Sequence, residues 1–156
     1  MTTASDLITI KGNWSFDYTY FAGETASRFF KELREHKRVM GTRCPSCERV
    51  LVPARAFCDA CFCRTGDWVE VGPQGVLETF TVITAAFPGL PEPPVVLAYA
   101  TLDGADTALV NLITGLDASD VAGTAERLMA QPRVELRFID EPQGRITDFS
   151  FEIVQG

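Results

Sequence analysis

Histidine is nearly missing from this sequence: His36 is the only one, which leaves little from which to build a nucleophile–base pair. Long apolar runs are missing too. Although 46% of the residues are hydrophobic, no stretch approaches the roughly 20 residues a membrane-spanning helix requires. No secretion signal opens the chain, so the cytoplasm is the expected compartment. There is no low-complexity segment and no internal repeat, and 156 residues suffice for one modest domain with an appendage. Basic residues run short in one part only. Up to Gly66 the chain has ten Lys or Arg against seven Asp or Glu; beyond it, four stand against fourteen. Nonspecific nucleic-acid binding depends on cations that neutralise phosphates, so the second part is a poor match for a polyanion.

Cysteine is absent everywhere except in CPSCERVLVPARAFCDACFC, residues 44 to 63, which holds all five. Cys44 and Cys47 form one C-x2-C pair, and Cys58 and Cys61 form another. Each such turn points two thiolates into one small volume, so the pairs supply four sulfurs for a tetrahedral Zn2+. The segment between them has two short apolar runs and a proline, which suits a hairpin joining two knuckles of a zinc ribbon. Disulfides are the competing reading, disfavoured by the odd count and the missing signal peptide. Cys63 leaves a choice open. Cys61-x-Cys63 offers a fourth ligand in place of Cys58, but Cys58 with Cys61 repeats the first pair, which leaves Cys63 as a small apolar filler or a reactive thiol. Four protein sulfurs close the coordination shell, so the expected role of the zinc is structural.

Before the ribbon, Trp14, Phe16, Tyr18 and Tyr20 occupy every second position, which in an extended arm puts four rings on one face. They pack either on the chain's own ribbon and helix or on a partner. A helix is expected over 24–39, with Ala26, Phe29, Phe30 and Leu33 on one face and Gly41 as its stop. His36 falls among Glu35, Lys37 and Arg38 and reads as a solvated surface residue. After the ribbon, strands are expected at 77–87, 94–102, 108–113, 133–140 and 146–154. One short helix falls between the third and fourth, capped by Asp117 or Ser119. That order is the order of an OB-fold barrel, with the proline-rich 88–94 segment as a binding loop. The predicted fold is therefore mainly β: an N-terminal aromatic arm and amphipathic helix (1–41), a rubredoxin-like zinc ribbon (42–66) and a five-stranded OB-fold domain (67–156).

From about residue 24 onward the chain resembles the zinc-ribbon plus OB-fold proteins of acyl-CoA metabolism. FFKELREHKRVMGTRCPSC resembles that family's helix and first knuckle, VLVPARAFCDAC its proline-arginine hairpin and second knuckle, and GPQGVLETFTVI with PPVVLAYATLDG its first two barrel strands. Ala54 stands where a second proline is common. The resemblance implies a non-catalytic partner of a thiolase-like enzyme, or of a related hydratase or aldolase, in a hetero-oligomer such as a heterotetramer built on a thiolase dimer. It implies coenzyme A or acyl-CoA as the ligand of the complex. The arm before residue 24 is similar to that of small subunits of thiolases that cleave benzoylsuccinyl-CoA in anaerobic toluene breakdown.

With four cysteines on zinc and a lone histidine in a charged helix, no catalytic constellation is left in this chain. Arg43, Arg49, Arg55 and Arg64 form a basic collar in or beside the ribbon; it either solvates the metal module or grips the phosphates of CoA. The expected docking residues are Trp14, Phe16, Tyr18 and Tyr20 with Phe29 and Phe30. A nucleic-acid-binding OB module is the alternative of another class, and the acidic second part weighs against it.

Overall fold

Phe29 and Leu33, four residues apart, are the buried stripe of the first helix, α1 (Gly23–His36), and Phe30 packs beside them. The computed structural model describes residues 8, 10–12, 14 and 16–154; the start of the expected arm lies outside them. The helix ends earlier than expected and without Gly41. Lys37 takes the left-handed conformation at φ 50°, and its N–H donates to the Glu32 carbonyl to close the last turn. Glu32 also draws the termini of the helix and the following strand together, accepting from Arg38 Nε at 2.8 Å and facing His36 Nδ1 at 3.2 Å.

Gly41 instead sits inside β1 (Val39–Arg43), where an added Cβ would meet Val50 Cγ1 at 2.7 Å. That close approach is why glycine stands there. Strand β1 is the centre of an antiparallel three-stranded sheet, flanked by β2 (Val50–Leu51) and β3 (Trp68–Val71). Strand β3 was not among the expected strands, since four residues between Gly66 and Gly72 are too few to display a period. Its Trp68 ring takes the Arg28 guanidinium at 4.3 Å, which ties α1 across the sheet.

The barrel follows: β4 (Gln74–Ile83), β5 (Val95–Leu102), β6 (Leu109–Ile113), α2 (Val121–Met129), β7 (Arg133–Phe138) and β8 (Phe149–Ile153). The five strands close in the order β4-β5-β6-β8-β7, antiparallel except where β6 meets β8. Alternation along β5 sends Val96, Ala98, Ala100 and Leu102 inward. Gly75 lets β4 cross β5 closely, because a Cβ there would lie 2.5 Å from the Thr101 carbonyl oxygen. The cap of α2 is Asp120, whose Oδ1 accepts from Gly123 N at 3.0 Å. Asp117 is occupied one turn earlier, accepting from Ser119 N at 2.9 Å, so neither residue expected as the cap fills that position.

Ribbon and barrel share one apolar core running from Phe29 and Leu33 through Val39, Val50 and Val52 to Leu102 and Phe151. Polar contacts secure the seam. Val50 N donates to Asp106 Oδ2 at 2.8 Å, and Val52 N donates to Thr107 Oγ1 at 2.7 Å. Among the described residues no helix is long and apolar enough to cross a membrane.

Candidate metal centre

The two knuckles are built alike. At the end of β1, Cys44 N donates to the Arg49 carbonyl at 2.9 Å and Glu48 N returns to the Cys44 carbonyl at 2.9 Å. In the second knuckle Cys58 N donates to the Cys63 carbonyl at 2.9 Å and Phe62 N returns to Cys58 at 3.0 Å. Each turn is completed by a left-handed residue four places after its first cysteine, Glu48 (φ 61°) and Phe62 (φ 55°). Identical turns facing each other place the Sγ atoms of Cys44, Cys47, Cys58 and Cys61 within 4.8 Å of one another.

Four thiols in that volume fit Zn2+. Zn–S bonds of about 2.3 Å in a tetrahedron give S–S edges of about 3.8 Å, and Cys47 and Cys58 are 3.8 Å apart. Cys44 is fully buried on Leu51, and the N–H groups of Cys47, above all, and Ser46 point at its sulfur at 3.5 and 3.4 Å. They outweigh burial and bring this thiol down to about 6, which favours the thiolate a metal needs. Cys58, with Cys61, completes the quartet. Cys63 stands outside it, with its Sγ 3.5 Å from that of Cys44.

The collar arginines all lie on the ribbon and already have contacts. Arg43 Nη1 donates to the Glu48 carbonyl at 3.0 Å. Arg49 and Arg55 share the Asp59 carboxylate at 3.3 and 3.5 Å, and the Arg64 guanidinium lies 5.6 Å from the Phe57 ring centroid. The 88–94 loop is not beside them. It precedes Val95 at one end of β5, whereas the ribbon meets the turn after Leu102 at the other, and eight strand residues at 3.3 Å each hold these ends about 23 Å apart. Loop and collar therefore sit toward opposite ends of β5.

Trp14, Phe16, Tyr18, Tyr20 and Phe21 are 65–89% exposed. Successive rings of the alternating four are 6.1, 5.8 and 6.0 Å apart, a ladder on one side of the arm. They do not pack on the chain's own ribbon or helix. Phe29, expected as a docking residue, is 2% exposed and belongs to the chain's own core, and Phe30 packs against that core.

Two features went unnoticed in the sequence. Asn111 and Asp148 are buried polar residues that hold the segment before β8. Asn111 Nδ2 donates to the carbonyls of Ile146 and Phe149 at 2.9 and 2.8 Å, and Asp148 Oδ2 accepts from Gly144 N and Arg145 N at 2.6 and 2.8 Å. No local pattern marks them. The second feature is an apolar groove of about 740 Å3 between Leu90 and Pro91 of the loop, Leu97 and Leu112 of the barrel face, and Ile146. Its signal was in VVLAYATL, which is apolar on both alternating faces, as in a strand covered on both sides.

The zinc-ribbon region, residues 31–65, matches a family model described as ChsH2, rubredoxin-like zinc ribbon domain. Residues 68–138 match ChsH2, C-terminal OB-fold domain. No curated protein matches the chain. Among solved structures, a protein of unknown function from the DUF35 family of Sulfolobus solfataricus is similar at 18% identity and a TM-score of 0.60, covering 85% of this chain and 87% of that one. A chain of the Ltp2-ChsH2(DUF35) aldolase is similar at 20% identity and 0.60, covering 86% and 98%. Two models of one family, met in order along one chain and agreeing with its cysteine quartet and closed barrel, settle the assignment: the chain belongs to the ChsH2 family of zinc-ribbon plus OB-fold proteins.

Proposed function

We propose that this chain is a non-catalytic subunit of a thiolase-type acyl-CoA acyltransferase complex in the cytoplasm, required for CoA binding and for the active form of its catalytic partner. The observation that carries the reading is the arm, where five large rings from Trp14 to Phe21 are turned to solvent. A contiguous apolar strip of this kind marks an interaction surface, since leaving it in water forgoes the burial free energy of every ring. The quartet of thiols supports a subordinate role, because zinc held by four sulfurs stabilises the ribbon fold and has no open position for substrate. Arg43, Arg49, Arg55 and Arg64 are the candidate contacts to the CoA phosphates, with Asp59 yielding Arg49 and Arg55 when a stronger anion arrives. The reaction proposed, from the resemblance of the arm, is thiolytic cleavage of benzoylsuccinyl-CoA.

A second reading replaces the thiolase with an aldolase, and it is favoured by the similar chain whose complex is described as an aldolase. Both readings need a partner, and native mass spectrometry of the chain purified from its source cells, with and without CoA, tests that need. The expected result is a zinc-bearing heterotetramer with a thiolase-sized second chain. A zinc-bearing monomer indifferent to CoA would reject both. Assay of the copurified complex separates them: CoA-dependent thioester formation marks a thiolase, and CoA-independent carbon–carbon cleavage to an aldehyde or ketone marks an aldolase.

A further inference from the structure

Cys63 is a fifth thiol placed against a four-thiol centre. Its Sγ lies 3.5 Å from that of Cys44, while the quartet that suits zinc is complete without it. The two partners differ in access. Cys44 is fully buried, whereas Cys63 is half-buried. A disulfide needs about 2.05 Å between sulfurs, so the pair has about 1.5 Å to close from the present separation. The backbone favours the encounter as well, because the Cys63 carbonyl accepts from Cys58 N at 2.9 Å and so fixes Cys63 to the second knuckle, facing the first.

We infer that Cys63 is an oxidation site for hydroperoxides, and that Cys44 resolves the oxidised sulfur and in doing so leaves the metal centre. In the first step the Cys63 sulfur attacks the terminal oxygen of the hydroperoxide. An S–O bond forms, the O–O bond breaks, and the thiol proton passes to the departing alkoxide, leaving a sulfenic acid and an alcohol. In the second step the Cys44 thiolate attacks the sulfenic sulfur. The S–S bond forms, the S–O bond breaks, and hydroxide leaves with a proton from solvent as water. Sulfur is oxidised by two electrons overall and the peroxide is reduced by two. Three thiols then remain where four were, and a ribbon whose folding is coupled to its metal opens.

The experiment uses the full zinc-bound chain, hydrogen peroxide as probe, a metallochromic dye to follow zinc, and peptide mass spectrometry without reduction to place the disulfide. The expected result is release of one zinc per chain, a peptide joining Cys44 to Cys63, and release at least ten-fold slower in Cys63→Ser. Reduction with dithiothreitol and added zinc should restore the starting state. Equal release rates in Cys63→Ser and the parent chain would overturn the inference. So would a principal disulfide between Cys47 and Cys58, the other close pair at 3.8 Å. The mapping is made on the unaltered chain, so it decides the matter even if the serine variant folds poorly; Cys63→Ala provides the rate comparison in that case.

Discussion

Asp148 is a carboxylate at 1% exposure with backbone N–H groups of Gly144 and Arg145 on one oxygen. Burial by itself would push its pKa up; the N–H donors of Arg145, Gln143 and Gly144 outweigh that and hold it below the usual carboxylate value. The folded-state pKa is depressed, so the stabilisation is fully present above the unfolded value near 3.9 and is lost as pH falls through the lower folded value. Asp148→Ala should therefore cost about 1.5–3 kcal/mol at pH 7, measured by urea unfolding, with the gap to the parent chain closing as the pH drops below about 4. Asn111 is the counterpart on β6. Its amide satisfies the carbonyls of Ile146 and Phe149 while its Oδ1 accepts from Leu112 N. Neither residue has a local signature in the sequence, because each is defined by partners that only the closed barrel brings near.

At the scale of elements, the ribbon and the arm behave oppositely. On its metal side the ribbon hairpin has only Leu51 between Cys44 and Cys58, while Val50 and Val52 face the shared core, so metal binding supplies the folding free energy of the knuckles. Cys58→Ser should lose stoichiometric zinc, whereas Cys63→Ser should retain one zinc per chain, as read by metal analysis of the purified proteins. Chelation should first raise amide exchange in residues 43–65, ahead of the barrel strands. The described residues of the arm contribute rings to solvent and nothing to the core. Removing residues 1–22 should shift Tm by less than about 2 °C, since exposed groups contribute little to stability, while weakening copurification with the proposed catalytic partner at least ten-fold. Copurification at the parent level would take the arm out of the interface. The alternation of Trp14, Phe16, Tyr18 and Tyr20 was legible because a period of two is a local property. Which way the α1 aromatics face was less so: the same periodicity that grouped Phe29 with Phe30 is silent on whether their stripe meets the chain's own core or a neighbour.

For the whole molecule, charge and length set what ligands can do. The basic excess lies in residues 1–66 and the acidic excess in residues 67–156, a division that on the proposed function favours an anionic ligand at the collar over the barrel face. In the assembled complex, Arg43→Ala and Arg55→Ala should each weaken CoA binding three- to thirty-fold by isothermal titration, with the loss greatest at low salt. Unaltered affinity in both would confine the collar to solvating the ribbon. The isolated chain should not retain single-stranded DNA at 0.15 M salt in a filter-binding assay, because the barrel has no basic groove to accompany its aromatics.

The sequence by itself determined the two C-x2-C pairs, the order of the barrel strands with the helix between the third and fourth, and the charge division. These depend on spacing and composition over a few residues, which no distant contact has to confirm. Tertiary structure alone decided that Gly41 lies within a strand, that β3 completes the ribbon sheet, and that Cys63 rests against Cys44. It also decided that Phe29 faces inward while Trp14 faces out, and that collar and loop occupy opposite ends of β5. Each of these depends on which distant segments pair and in what register, and that pairing is fixed by burial of one shared core and closure of the barrel.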